Sequence, residues 1–137
     1  MSNAIVARFL DGKTVKGTSF DVDPARPFCH VRTSDQGMIE VSLAELKALY
    51  FVKSLPGNPA YNDLQTLDRA DPRQRGATPI EIRFKDGERL VGFTGRYPPN
   101  RSHFFVLPAD TKSNNIRVLV NRDAIESMSP ATAAPVE

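Results

Sequence analysis

The 137-residue chain has one cysteine, two histidines and no tryptophan. A lone cysteine, Cys29, excludes an internal disulfide and fits a reducing compartment. So few sulfur and imidazole groups, at no ligand spacing, exclude a metal centre of the usual kinds. No apolar run approaches the 18 residues a membrane helix needs, and no basic stretch followed by an apolar core opens the chain. The expectation is a soluble, cytoplasmic protein without membrane association. Strong charge of either sign is also missing, with 18 Lys and Arg against 16 Asp and Glu. A protein that neutralises many phosphates usually carries a large basic excess, although a local patch can exist at low net charge. No glycine-rich loop opens a helix to cradle phosphates. Catalysis has no foothold, because Cys29 lies in an apolar stretch where a thiol reads as a small core group. The chain therefore reads as a non-enzyme with no cofactor and no metal. Its 40% hydrophobic content is enough for a folded core.

What the chain does have is a phrase written twice. Arg8-Phe9-Leu10-Asp11-Gly12-Lys13-Thr14-Val15-Lys16-Gly17 returns 75 positions later, from Arg83, as Arg83-Phe84-Lys85-Asp86-Gly87-Glu88-Arg89-Leu90-Val91-Gly92. The offset still holds for Pro24 with Pro99 and Val31 with Val106. Four further residues enter near Thr111 to Asn115, and beyond them the offset is 79, pairing Val41 with Val120 and Leu46 with Ile125. A polar insertion between aligned apolar runs marks a surface loop. The repeats span residues 3–53 and 79–129, joined by a Pro- and Gly-punctuated linker at 54–78. Tyr61, Leu64 and Leu67 in the linker have the helix-like spacing to dock on a neighbour. Residues 130–137 read as a disordered tail. A 50-residue unit is marginal alone, so each copy needs a neighbour.

Within each copy the pattern is β. Ile80, Ile82 and Phe84 alternate with Glu81, Arg83 and Lys85. Asp86-Gly87 is a strong hairpin signal, since a tight two-residue turn needs positive φ. Gly17 and Gly92 interrupt the returning strand and predict a sharp bend or close backbone approach. Two more strands follow, at 28–31 and 38–41 in the first copy and at 103–107 and 116–120 in the second. A single turn opened by Ser42 or Asn121 leads into a fifth strand. The fold class is mostly β: two tandem five-stranded small barrels with short helical turns.

This order, ending in Ala124-Ile125-Glu126-Ser127-Met128, resembles the Sm-like barrel, above all its bacterial RNA-chaperone branch; SH3-like barrels share much of it. The whole chain also resembles an uncharacterised bacterial family of tandem domains through Leu46-Lys47-Ala48-Leu49-Tyr50-Phe51-Val52-Lys53 and Phe104-Phe105-Val106-Leu107-Pro108-Ala109-Asp110 with Ser113-Asn114-Asn115. That resemblance implies no activity. The Sm family's RNA-contacting loop has no match in Asp21-Val22-Asp23-Pro24 or Arg96-Tyr97-Pro98-Pro99-Asn100. Asn121-Arg122-Asp123 stands where the chaperones carry Tyr-Lys-His, so RNA binding does not come with the fold. Arg69-x-x-x-Arg73 resembles the opening motif of cyclic-di-nucleotide-binding PilZ barrels, whose second motif is missing.

Two surfaces stand out. The loop carrying Arg96, Tyr97, Arg101 and His103 has the residue types that stack bases and contact phosphates. The bland alternative is a proline-stiffened loop with solvated arginines. The strand Leu46 to Val52 is apolar on both faces. With Leu46, Ala48, Tyr50 and Val52 on the inner face, Leu49 and Phe51 are left as an interaction surface. It would meet the sister repeat, or a partner joined edge to edge as Sm-like rings are built. The expectation is a non-catalytic binding or adaptor module that works through protein interaction or self-assembly at strand edges. The alternative is RNA or nucleotide binding at the loop Arg96 to His103.

Overall fold

A computed structural model of the protein describes residues 3–57, 60–68 and 70–131. Arg69, and the expected tail beyond Ala131, lie outside the described residues. The first half contains strands β1 (Asn3–Phe9), β2 (Thr14–Ser19), β3 (Phe28–Thr33), β4 (Gly37–Ser42) and β5 (Leu46–Val52), with a 3-10 turn at Leu43–Glu45 before β5. The second half repeats that order as β6 (Thr78–Phe84), β7 (Arg89–Thr94), β8 (His103–Pro108), β9 (Asn115–Asn121), a turn at Arg122–Ala124 and β10 (Ile125–Pro130).

The ten strands form one open antiparallel sheet, ordered β10-β6-β7-β8-β9-β5-β1-β2-β3-β4. Two tandem five-stranded barrels packed together were expected, and what is seen is a single sheet: β5 of the first half hydrogen-bonds to β9 of the second, with Leu49 opposite Leu119 and Tyr50 opposite Val118. The cause lies in β5, which is buried along its whole length. A strand apolar on both faces needs cover on both, and one half supplies only one.

Gly12 and Gly87 take positive φ in the two Asp-Gly hairpins, as that turn requires. Gly17 and Gly92 make the close approach expected of them. A Cβ on Gly17 would fall 2.2 Å from the Arg32 carbonyl oxygen, and one on Gly92 2.2 Å from that of Leu107. Only glycine lets the second strand cross its neighbour this closely.

Two main cores result. The first half's core holds Ile5, Val31, Leu46, Leu49 and Phe51, with Leu119 reaching in from β9. The second half's core holds Ile80, Ile82, Phe84 and Val106, and takes Ala48, Tyr50 and Val52 from β5. Leu49 and Phe51 are therefore interior residues and not an outer interaction surface. A bulge explains the difference in parity. β1 pairs Arg8 with Ala48 but Phe9 with Leu46, so Lys47 is skipped and Leu46 joins the side of Leu49 and Phe51.

Residues 61–68 of the linker form a strap along the second half without helix, and a short 3-10 turn follows at Pro72–Arg75. Leu67 packs on Val91 and Phe93, while Leu64 is exposed. The Tyr61 hydroxyl donates to Asp110, and the Val91 amide donates to Gln65 at 2.8 Å. Arg73 anchors the strap's end, donating to the Pro108 and Ala109 carbonyls at 3.0 and 3.1 Å over the Phe93 ring. The sequence follows this asymmetry: the positions matching Val91 and Phe93 in the first half are the polar residues Lys16 and Thr18.

Candidate functional site

The seam between the halves carries a network of polar side chains. β5 carries one charged residue, Lys47, which the bulge turns toward the β6–β7 hairpin. Its side chain is 10% exposed, and its Nζ lies 2.6 Å from Asp86 Oδ2 and 2.5 Å from Glu88 Oε1. The ammonium also sits 4.7 Å from the centre of the Phe84 ring. The Tyr50 hydroxyl donates to Glu88 Oε1 at 2.9 Å. The hydrogen bond from Lys47 holds the Asp86 carboxyl below its usual pKa. Burial pushes the Tyr50 phenol up, and the Glu88 charge adds to it. A cation with so little solvent needs both carboxylates, so the cluster clamps the halves in register.

The rest of the seam is similarly matched. The Asn121 amide donates to the Leu46 carbonyl at 2.8 Å. Arg117 lies over the Phe51 and Phe105 rings at 4.1 and 4.5 Å. His103 Nε2 lies 2.8 Å from the Leu43 carbonyl, and a carbonyl can only accept, so Nε2 carries the proton. His103 is thus a largely buried seam residue.

The remaining loop residues divide. Tyr97 is half-buried, packs on the second core and points its hydroxyl at the Met128 carbonyl, 3.5 Å away. Arg96 and Arg101 are exposed and make no ion pair among the described residues. They line one cleft of about 210 Å³ with His103, Pro99 and Phe104. The structure therefore brings three of the four expected loop residues, Arg96, Arg101 and His103, to one cleft, while Tyr97 is tied into packing and His103 is also bonded across the seam. Of the arginine pair in the linker, Arg73 is bound to Asp71 and to backbone carbonyls.

Among the described residues two strand edges remain unpaired at the ends of the sheet, β4 and β10. On β4 the Leu43 amide bonds to the Pro27 carbonyl on the β3 side. Alternation then places the backbone groups of Met38, Glu40 and Ser42 on the outer side. Phe28 and Met38 stay 45% and 44% exposed there. On β10 the Ala131 amide bonds inward to Pro79, which leaves the outward positions to Met128 and Pro130.

The Asp21 carboxylate accepts from the His30 amide at 2.9 Å and faces its ring nitrogen at 2.6 Å. Burial works against that charge, but these bonds and one from Ser19 outweigh it and lower its pKa. Among the described residues no group of three or more His, Cys, Asp and Glu side chains is placed to hold a metal, and no helix is long and apolar enough to cross a membrane.

Among known proteins, a family model described as "Family of unknown function (DUF6982)" matches residues 1–131. No curated protein and no solved structure matches the chain.

Proposed function

We propose that this chain, which belongs to the DUF6982 family of unknown function, is a non-catalytic binding or adaptor module that works by adding strands at its sheet edges. In this reading each half is a tandem copy of one small Sm-like or SH3-like barrel, and edge-to-edge pairing is how such units are joined. The observation that carries it is the β5–β9 seam, where one half completes the other by strand addition while β4 is left open. Strand addition draws affinity from main-chain hydrogen bonds and specificity from alternate side chains. A long unpaired edge without such a use is an aggregation liability.

A second reading, RNA or nucleotide binding, is favoured by one observation: the exposed guanidiniums of Arg96 and Arg101 share a cleft. One experiment separates the two. Protein taken straight from cells is sized by light scattering with absorbance at 260 and 280 nm, alongside Glu40→Pro and Arg96→Ala/Arg101→Ala. An assembly free of nucleic acid that Glu40→Pro dissolves supports strand addition. Excess 260 nm absorbance that only the arginine variant removes supports the second reading. If neither variant changes what the protein carries, and the outward β4 amides exchange hydrogen as freely as loop amides, both readings fall.

A further inference from the structure

We infer that the open edges β4 and β10 are the two halves of a second seam, by which one copy of the chain joins the next head to tail. This rests on the strand-addition reading and names its partner. The argument is one of equivalence. β4 corresponds to β9 at an offset of 79 and β10 corresponds to β5 at the same offset, as Ser42 with Asn121 and Leu46 with Ile125 show. Since β5 pairs with β9 inside the chain, β10 of one copy has the matching partner in β4 of another. The internal register carries over as Ser127 opposite Val41, Met128 opposite Glu40 and Ser129 opposite Ile39.

The charges carry the inference further. Inside the chain, Lys47 of β5 reaches Glu88 on the facing hairpin at 2.5 Å. At the second seam Lys47 is replaced by Glu126 and Glu88 by Lys13. Both members of that pair change sign, so its attraction is kept, while Asp11 in the place of Asp86 stays negative and offsets part of it. Lys13 and Glu126 are both exposed in the single chain, free to meet a second copy. Asp11 keeps the turn role of Asp86, accepting from the Lys13 amide at 2.8 Å.

Exposure agrees. Phe28 and Met38 are open to solvent at the positions of His103 and Arg117, which the internal seam covers or stacks. Ser42 makes no cap with its side chain, whereas its counterpart Asn121 donates across the internal seam to Leu46.

The second seam is the weaker of the two. Met128 with Glu40 replaces Leu49 with Leu119, and Pro130 has no amide to offer at its outward position. Association is therefore reversible and rises with concentration, and its end product is a ring or a filament according to whether the rotation closes.

The test is light scattering across a concentration series of the full chain, with Lys13→Glu, Glu126→Lys and a one-to-one mixture of the two variants. Thermal melts confirm that each variant is folded. The wild type is expected to exceed one chain mass as concentration rises, and each variant alone to associate at least tenfold more weakly. The mixture is expected to recover. There Glu126 of one variant meets Lys13 of the other, and the two introduced residues, of opposite charge, meet at the alternate seam. A wild type that stays monomeric, variants that associate as it does, or a mixture that does not recover each overturns the head-to-tail seam. If the seam fails while Glu40→Pro still releases some other bound protein, the strand-addition reading stands without it.

Discussion

Lys47 and Glu88 sit on opposite halves of the chain, yet the ammonium and the carboxylate are 2.5 Å apart and share their oxygen with the Tyr50 hydroxyl. Removing the acceptor leaves the buried Tyr50 hydroxyl unpaired and Lys47 with Asp86 alone. Glu88→Ala is expected to lower unfolding free energy by about 1–3 kcal/mol, the usual cost of leaving a buried donor unsatisfied. Lys47→Glu should be worse, because it places three carboxylates together. The double variant Lys47→Glu/Glu88→Lys should recover part of the loss. Urea unfolding of the four proteins checks this, and additive losses in the double variant would show that the pair is not coupled.

Gly17 and Gly92 admit no side chain, because the first added carbon meets a backbone carbonyl at 2.2 Å. Gly17→Ala and Gly92→Ala are each expected to cost on the order of 3 kcal/mol, at the upper end for overpacking. Gly95 has nothing within 4 Å of its would-be Cβ, so Gly95→Ala should be near neutral. Comparable melting temperatures for all three would contradict the close crossing.

Cys29 is fully buried in the first core, and burial with the nearby Asp21 charge pushes its thiol up to about 11. The native protein should therefore react slowly with a thiol reagent at pH 8 and release one equivalent at once in denaturant. Rapid native labelling would mean that the first half opens readily.

Asp86, held low by its bond from Lys47, and Asp71, held low by Arg73, contribute to the pH profile. A carboxyl with a depressed folded pKa adds stability that is full above its ordinary value of about 3.8 and is lost as pH falls through the folded value. The melting temperature should be level above about pH 5 and fall below about pH 4. Asp86→Asn should make that fall shallower, and an unchanged acid limb would remove Asp86 from the account.

Much of the strand layout was legible in the residues. Alternation at Ile80, Ile82 and Phe84, the two Asp-Gly turns and the glycines at 17 and 92 each act through neighbours a few positions away, so local pattern was enough to place them. The side assigned to Leu49 and Phe51 was not, because the bulge at Lys47 shifts parity by one residue and arises only when β5 pairs with β1. That His103 and Tyr97 are also tied into packing was not legible in their types. Their partners, the carbonyls of Leu43 and Met128, lie 60 and 31 residues away. The Lys47 cluster was missed, although a lone cation in an apolar strand, changed to Glu126 where Glu88 changes to Lys13, was a signal already present.

By itself, then, the sequence determined the strands, their turns and their twofold recurrence, since these follow from periodicity, φ preferences and a repeated phrase. The tertiary structure decided that the halves join through β5 and β9 into one sheet, which charges meet across that seam, and which two edges remain open among the described residues. Those depend on which distant strands find each other. Backbone hydrogen bonds pair any two edges alike, and only the side chains brought into contact decide between them.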